Sequence, residues 1–209
     1  MSKAVIWDLD GTLFDSYPVI VESIYLTFQE SGISLSREQI KEYAIRSSSS
    51  ALFYEVADER GIAAEALFQK YREFSRARIN DITIIDGALE ILEVLRRNGF
   101  SHYVLTHRGK TTISVLDQLG MTSYFGEILT SESGFARKPE PDAIIYLMRK
   151  YGLDPHNTYY AGDRQLDMAC AKNAGIAGIL LRRPGDIDVA DGTEDYIVSN
   201  LMQIADIVL

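Results

Sequence analysis

The sequence predicts a parallel α/β sheet flanked by helices, with a small α-helical domain inserted after the first strand. Three observations predict it. The apolar run Ala4-Val5-Ile6-Trp7 is followed at once by Asp8-Leu9-Asp10-Gly11-Thr12. Residues 17 to about 81 carry helical periodicity and little strand signal, and from Asp86 onward helix and strand patterns alternate. A continuous apolar run reads as a strand buried on both faces. Alternation of helices and strands argues for a parallel sheet covered on both sides. The helical stretch is too long for a simple loop. The expected core is therefore 1–15 with 82–209, and the insertion 16–81 is a helical cap domain.

The elements follow in order. Tyr17, Ile20, Ile24 and Phe28 fall at helical spacing, and Gly32 ends that helix. Shorter helical stretches cover 38–43 and 51–59, and Leu67, Tyr71 and Phe74 mark a further amphipathic helix. These aromatics read as core packing. In the second part, Ala88, Ile91, Leu92 and Leu95 make a helix that stops at Asn98-Gly99. A strand covers 102–106, and Ile113, Leu116 and Leu119 mark a helix ended by Gly120. A short strand at 127–130 precedes a helix with Pro141 in its first turn and Ile144, Leu147, Met148 and Tyr151 on its apolar face. A strand at 158–161, a small-residue helix running to Ala174-Gly175 and a strand at 176–181 complete the alternation.

Composition narrows the function. The chain has 209 residues, 46% hydrophobic, enough for one or two domains with a real core. A net charge of −9, with no long basic cluster, argues against a nucleic-acid partner. The single Cys170 excludes an internal disulfide, fits a reducing compartment and reads as a core residue. The chain enters its first strand within a few residues of Met1, leaving no visible signal peptide. No apolar stretch approaches the roughly 18 residues that span a bilayer. The expectation is a cytoplasmic protein with no membrane partner; the oligomeric state stays open.

Chemistry concentrates at the strand exits. Asp8 and Asp10 leave the first strand where an open α/β sheet places its ligand crevice. Extended side chains would point apart, so the two share a site only if the chain turns between them, as Gly11 permits. Thr106 ends the next strand, Lys138-Pro139 follows the third through a loop, and Gly162-Asp163 ends the fourth with Asp167 one helical turn on. Pro139 favours an extended Lys138. Four carboxylates, a hydroxyl and an ammonium are what phosphoryl transfer requires. Hard oxygen ligands bind Mg2+, the cation offsets repulsion between nucleophile and phosphate, and Thr106 and Lys138 can hold phosphoryl oxygens.

Asp8-Leu9-Asp10-Gly11-Thr12-Leu13-Phe14-Asp15-Ser16, Thr106, Lys138-Pro139 and Gly162-Asp163 with Asp167 resemble, in order and spacing, the four motifs of the haloacid dehalogenase superfamily. The inserted helices resemble the cap of its phosphoglycolate phosphatase and β-phosphoglucomutase-like branch. The resemblance implies a Rossmann-like core and a Mg2+-dependent phosphatase acting on a small phosphorylated metabolite. It implies Asp8 as the nucleophile that becomes an aspartyl-phosphate. Asp10 would be general acid and then general base, with its main-chain carbonyl on the metal. Asp163 would complete the metal site, with Asp167 as a ligand or an orienting group. Thr106 and Lys138 would hold the transferring group.

Two departures from the family pattern bear on substrate. Dehalogenating members lack the acid at Asp10, so its presence favours phosphate esters. The phosphomutase branch usually carries a His soon after the first motif, whereas this chain reads Asp15-Ser16-Tyr17-Pro18. The phosphomutase reading remains the alternative, with a non-catalytic phosphate-sensing module behind it. His107 stands where related phosphatases often have Asn; it could donate to substrate or bond to its own loop. Arg46, before Ser47-Ser48-Ser49-Ser50, could read a carboxylate or second phosphate, or be a solvated Arg in a polar turn.

Overall fold

The computed structural model describes residues 2–209. The chain divides into two compact units, the residues up to Asp15 with Ile84–Leu209, and Ser16–Thr83. The second unit includes residues 82 and 83, beyond the end of the helical periodicity at about residue 81.

The first strand, β1 (Ser2–Trp7), is completely buried from Ala4 to Trp7. It gives way to β2 (Phe14–Asp15), after which the insertion begins. Four helices form it: α1 (Tyr17–Glu30), α2 (Arg37–Arg46), α3 (Ser49–Arg60) and α4 (Ala64–Ala77). The starts of α2 and α3 are legible in local chemistry. Ser36 and Gln39 form a reciprocal capping box on α2, and Ser48 Oγ accepts from Ala51 N on α3. The unit has its own core of Ile24, Phe28, Ile40, Phe53 and Leu67, with the rings of Phe28 and Phe53 edge to face at 5.5 Å.

The chain continues through β3 (Thr83–Ile84), α5 (Ala88–Arg97), β4 (Phe100–Leu105), α6 (Thr112–Gln118), β5 (Phe125–Leu129) and α7 (Asp142–Tyr151). β6 (Leu153–Gly162), α8 (Gln165–Ala174), β7 (Ala177–Leu181), β8 (Tyr196–Val198) and α9 (Gln203–Val208) complete it. The main sheet has six strands in the order β5-β4-β1-β6-β7-β8, and every neighbouring pair is parallel. Counted among themselves in chain order, these strands run 3-2-1-4-5-6, the doubly wound Rossmann arrangement. Its order reverses between β1 and β6, so the ligand crevice opens beyond their carboxyl ends.

Expectation and structure also part within the core. Ile113 is exposed and Leu119 only half-buried, so neither carries the inner face of α6. Thr112, Val115 and Leu116 do, because the Thr112 hydroxyl donates to the Gly109 carbonyl and turns that first residue inward. Strand β6 begins at Leu153, five residues before the apolar pattern starts. β8 and α9 had no sequence expectation. No described helix is long and apolar enough to cross a membrane.

Candidate active site

The loop after β1 wraps around one carbonyl. Thr12, Leu13 and Phe14 all donate their amides to Leu9 O, at 3.1, 3.0 and 2.7 Å. Gly11 makes this turn possible with φ of +83°, a value that strains side-chain-bearing residues. Asp8 N still donates to Ala161 O at 2.9 Å, so its backbone is held by the neighbouring strand β6.

Asp8 is buried. Its Oδ1 accepts from Lys138 Nζ at 2.8 Å, and its Oδ2 has no hydrogen-bond partner. Lys138 also donates to Asp167 Oδ1 at 2.6 Å and to Tyr160 Oη at 2.9 Å. Lys138 enters from a turn in which Glu140 N donates to Arg137 O and the Lys138-Pro139 peptide is cis. Asp167 stands at the start of α8, where a helix N-terminus favours a carboxylate. Its Oδ2 accepts from Arg164 N at 3.1 Å. Gly162 is what lets Asp167 come so close: a Cβ there would lie 2.4 Å from the Asp167 Cβ.

The charges balance by contact. Desolvation raises Asp8 to about 6 against the pull of Lys138, so it is mostly ionised at neutral pH. Burial also works against the Lys138 ammonium, but Asp167 and Asp8 outweigh it and hold its pKa above the ordinary lysine value. Asp167 is desolvated too, and Lys138 and Arg164 together keep it below the usual carboxylate range.

Asp8, Asp163 and Asp167 each offer an oxygen, all lying within 4.8 Å of one another. The donor set is hard and anionic, and the buried, unpartnered Asp8 Oδ2 is the kind of atom a cation would satisfy; the site therefore fits Mg2+. Both oxygens of Asp167 are already bonded within the protein, which suits an orienting role. Thr12 Oγ1 reaches Asp163 Oδ1 at 3.4 Å.

The Asp10 carboxylate is engaged elsewhere, with Arg108 Nη1 at 2.5 Å from its Oδ1. Thr106 is buried at the end of β4, where its Oγ1 accepts from Arg108 N at 3.2 Å. His107 bonds to the loop: its Nε2 accepts from Lys138 N at 3.1 Å. Desolvation and the nearby Lys138, Arg137 and Arg164 charges push its pKa down to about 3, so it is neutral, with its proton on Nδ1. Arg46 lies in the last turn of α2, half-exposed, with Nε on Glu42 Oε1 at 3.0 Å.

Arg108, Tyr160 and Arg164 are site residues that no sequence motif marks as functional. Their side chains meet the site through the fold, and only Arg108 carried a signal, as the cation following Thr106-His107.

A profile of the haloacid dehalogenase-like hydrolases matches residues 5–181. The chain belongs to that family. It is 28% identical to the phosphoglycolate phosphatase of Vibrio vulnificus strain CMCP6, over 99% of this chain and 96% of that one. It is 25% identical to the pyrophosphatase PpaX of Oceanobacillus iheyensis, over 99% and 96%. In fold, this hydrolase matches a predicted phosphoglycolate phosphatase of Haemophilus somnus 129pt with a TM-score of 0.87, at 24% identity over 100% and 98% of the two chains.

Proposed function

We propose that this hydrolase is a Mg2+-dependent phosphatase of a small phosphomonoester, acting through a phosphoryl-Asp8 intermediate. One observation carries the reading: a buried carboxylate at the mouth of the central strand, with one oxygen held by Lys138, the other unpartnered, and the group within 4.8 Å of oxygens of Asp163 and Asp167. The relatives named phosphoglycolate phosphatase make 2-phosphoglycolate the first substrate to try.

In the first half-reaction the Asp8 carboxylate attacks phosphorus, the ester P–O bond breaks, and Asp10 gives a proton to the leaving alcohol. In the second, Asp10 takes a proton from water as that water attacks phosphorus. The bond to Asp8 breaks, and phosphate leaves. The Thr106 hydroxyl holds a phosphoryl oxygen, and Lys138 joins it once the phosphoryl group is on Asp8. The side chains of Asp8 and Asp163, with the Asp10 main-chain carbonyl, would hold Mg2+, and Asp167 would orient the site beside them. When bound, it neutralises charge between anionic nucleophile and anionic substrate. His107 holds the Lys138 backbone, and the helical insertion serves as the cap. The lone buried cysteine suits a reducing compartment, and the cytoplasm is the proposed location.

The test is Asp8→Asn assayed with p-nitrophenyl phosphate and 2-phosphoglycolate in Mg2+. The reading expects a folded protein without turnover; wild-type rates in the variant overturn it.

A further inference from the structure

An ammonium has three protons to donate and no acceptor. Those of Lys138 meet Asp8 Oδ1 at 2.8 Å, Asp167 Oδ1 at 2.6 Å and Tyr160 Oη at 2.9 Å, while the Leu105 carbonyl lies at the limit of bonding, 3.5 Å. Two of the three acceptors are carboxylates that the proposed mechanism already uses. The third belongs to a residue without a part in it.

Tyr160 is fully buried on β6, within the cluster that contains Ile6, Leu105, Ile144 and Leu147. A phenol in such a place needs partners for its hydroxyl. Having accepted from Lys138, it donates its own proton onward, to Leu105 O at 3.1 Å or Asp167 Oδ1 at 3.2 Å. Burial drives its pKa well above the ordinary tyrosine value, so it stays a neutral phenol.

From this geometry we infer that Tyr160 is a positioning residue for Lys138, anchoring the ammonium from the core side of the sheet while its substrate-side proton changes partner. The inference rests on the proposed reading in which Asp8 takes the phosphoryl group. Once Asp8 is esterified it loses its charge, and its hold on Lys138 weakens. The proton freed from Asp8 Oδ1 then turns to a phosphoryl oxygen, and only Asp167 and Tyr160 keep the nitrogen in place. Phenylalanine at this position would preserve the ring and its packing but remove one of the two remaining anchors. The buried ammonium would then be one acceptor short and less tightly fixed.

The experiment compares wild type and Tyr160→Phe, with Mg2+ and either p-nitrophenyl phosphate or 2-phosphoglycolate, by kcat, KM and thermal melting. The expected result is a kcat about 10–100-fold lower, KM changed less than about 3-fold and a cooperative melt. A kcat within about 2-fold of wild type overturns the inference, and so does a loss confined to KM. Should the variant fail to fold, 3,5-difluorotyrosine at position 160 keeps the shape while weakening the hydroxyl as an acceptor. A several-fold fall in kcat then supports the inference, and an unchanged kcat overturns it. Wild type inactive on every phosphate ester would sink the phosphatase reading itself; active wild type with an indifferent Tyr160→Phe sinks this inference alone.

Discussion

Arg108 Nη1 lies 2.5 Å from Asp10 Oδ1, an ion pair that ties the loop after β4 to the loop after β1. Both side chains are largely buried, 12% and 22% exposed, so the contact is less screened than a surface pair. The Arg108 backbone is itself fixed, its amide on Thr106 Oγ1 and its carbonyl accepting from Ser131 N. The residue proposed to move the proton is therefore oriented by a cation set on a neighbouring strand exit.

Removing that orientation should show in the leaving-group dependence. Arg108→Gln is expected to lower kcat for alkyl phosphates by roughly 10-fold, and for p-nitrophenyl phosphate by less, because a nitrophenolate needs little help from an acid. Steady-state kinetics across leaving groups of graded acidity checks this. Equal losses throughout would detach Arg108 from the action of Asp10.

Gly162→Ala tests the packing of the acidic cluster. A new Cβ would stand 2.4 Å from the Asp167 Cβ and 2.6 Å from its Oδ2, so Asp167 must move or the strand must shift. Overpacking of this kind costs about 1–3 kcal/mol. The expected outcome is a lower melting temperature together with weaker Mg2+ activation. Wild-type values for both would show that the close approach is dispensable.

His102 gives the fold a pH signature. Its Nδ1 accepts from Trp7 Nε1 at 3.1 Å and its Nε2–H donates to Leu92 O at 3.0 Å, an arrangement open only to the neutral ring. Burial pushes its pKa down to about 4. The unfolded chain binds this proton first, so the residue's contribution is present above about pH 6.5 and is lost as pH falls toward 4. The amount at stake is about 3 kcal/mol. His107 acts with the same sign, while Asp8, raised to about 6, acts with the opposite one. Urea unfolding of wild type and His102→Asn between pH 7 and 4.5 isolates the contribution of His102. The variant should lose less stability on acidification, and parallel curves would refute the assignment.

Metal dependence follows from the cluster of Asp8, Asp163 and Asp167. EDTA should abolish turnover and Mg2+ restore it, and Mg2+ should raise the melting temperature of wild type but not of Asp163→Asn. A melting temperature indifferent to Mg2+ would remove the cation from this site.

Much of the site was legible because its chemistry sits at strand exits, which the alternation of apolar runs and helices reveals. Asp8, Asp10, Thr106, Lys138, Asp163 and Asp167 could each be placed from one short motif. Four of them, Asp8, Lys138, Asp163 and Asp167, meet in a single hydrogen-bonded or ligand-distance network; Asp10 and Thr106 are joined to each other through Arg108. Tyr160 was hidden because a tyrosine in an apolar strand looks like any core aromatic until its hydroxyl's partners are known. The helix α6 was legible but its face was not, since a buried Thr112 satisfied by a local carbonyl breaks the apolar spacing. β8 is too short for a period, and two of its three residues, Tyr196 and Ile197, are exposed.

The most direct measurement is chemical trapping of the intermediate. Wild type turning over 2-phosphoglycolate or p-nitrophenyl phosphate in Mg2+ is quenched with borohydride, which reduces an acyl phosphate to the alcohol, and the peptide spanning residue 8 is sequenced by mass spectrometry. The mechanism predicts reduction at residue 8 in wild type and none in Asp8→Asn. Reduction at another carboxylate, or steady turnover with none trapped at position 8, would contradict it.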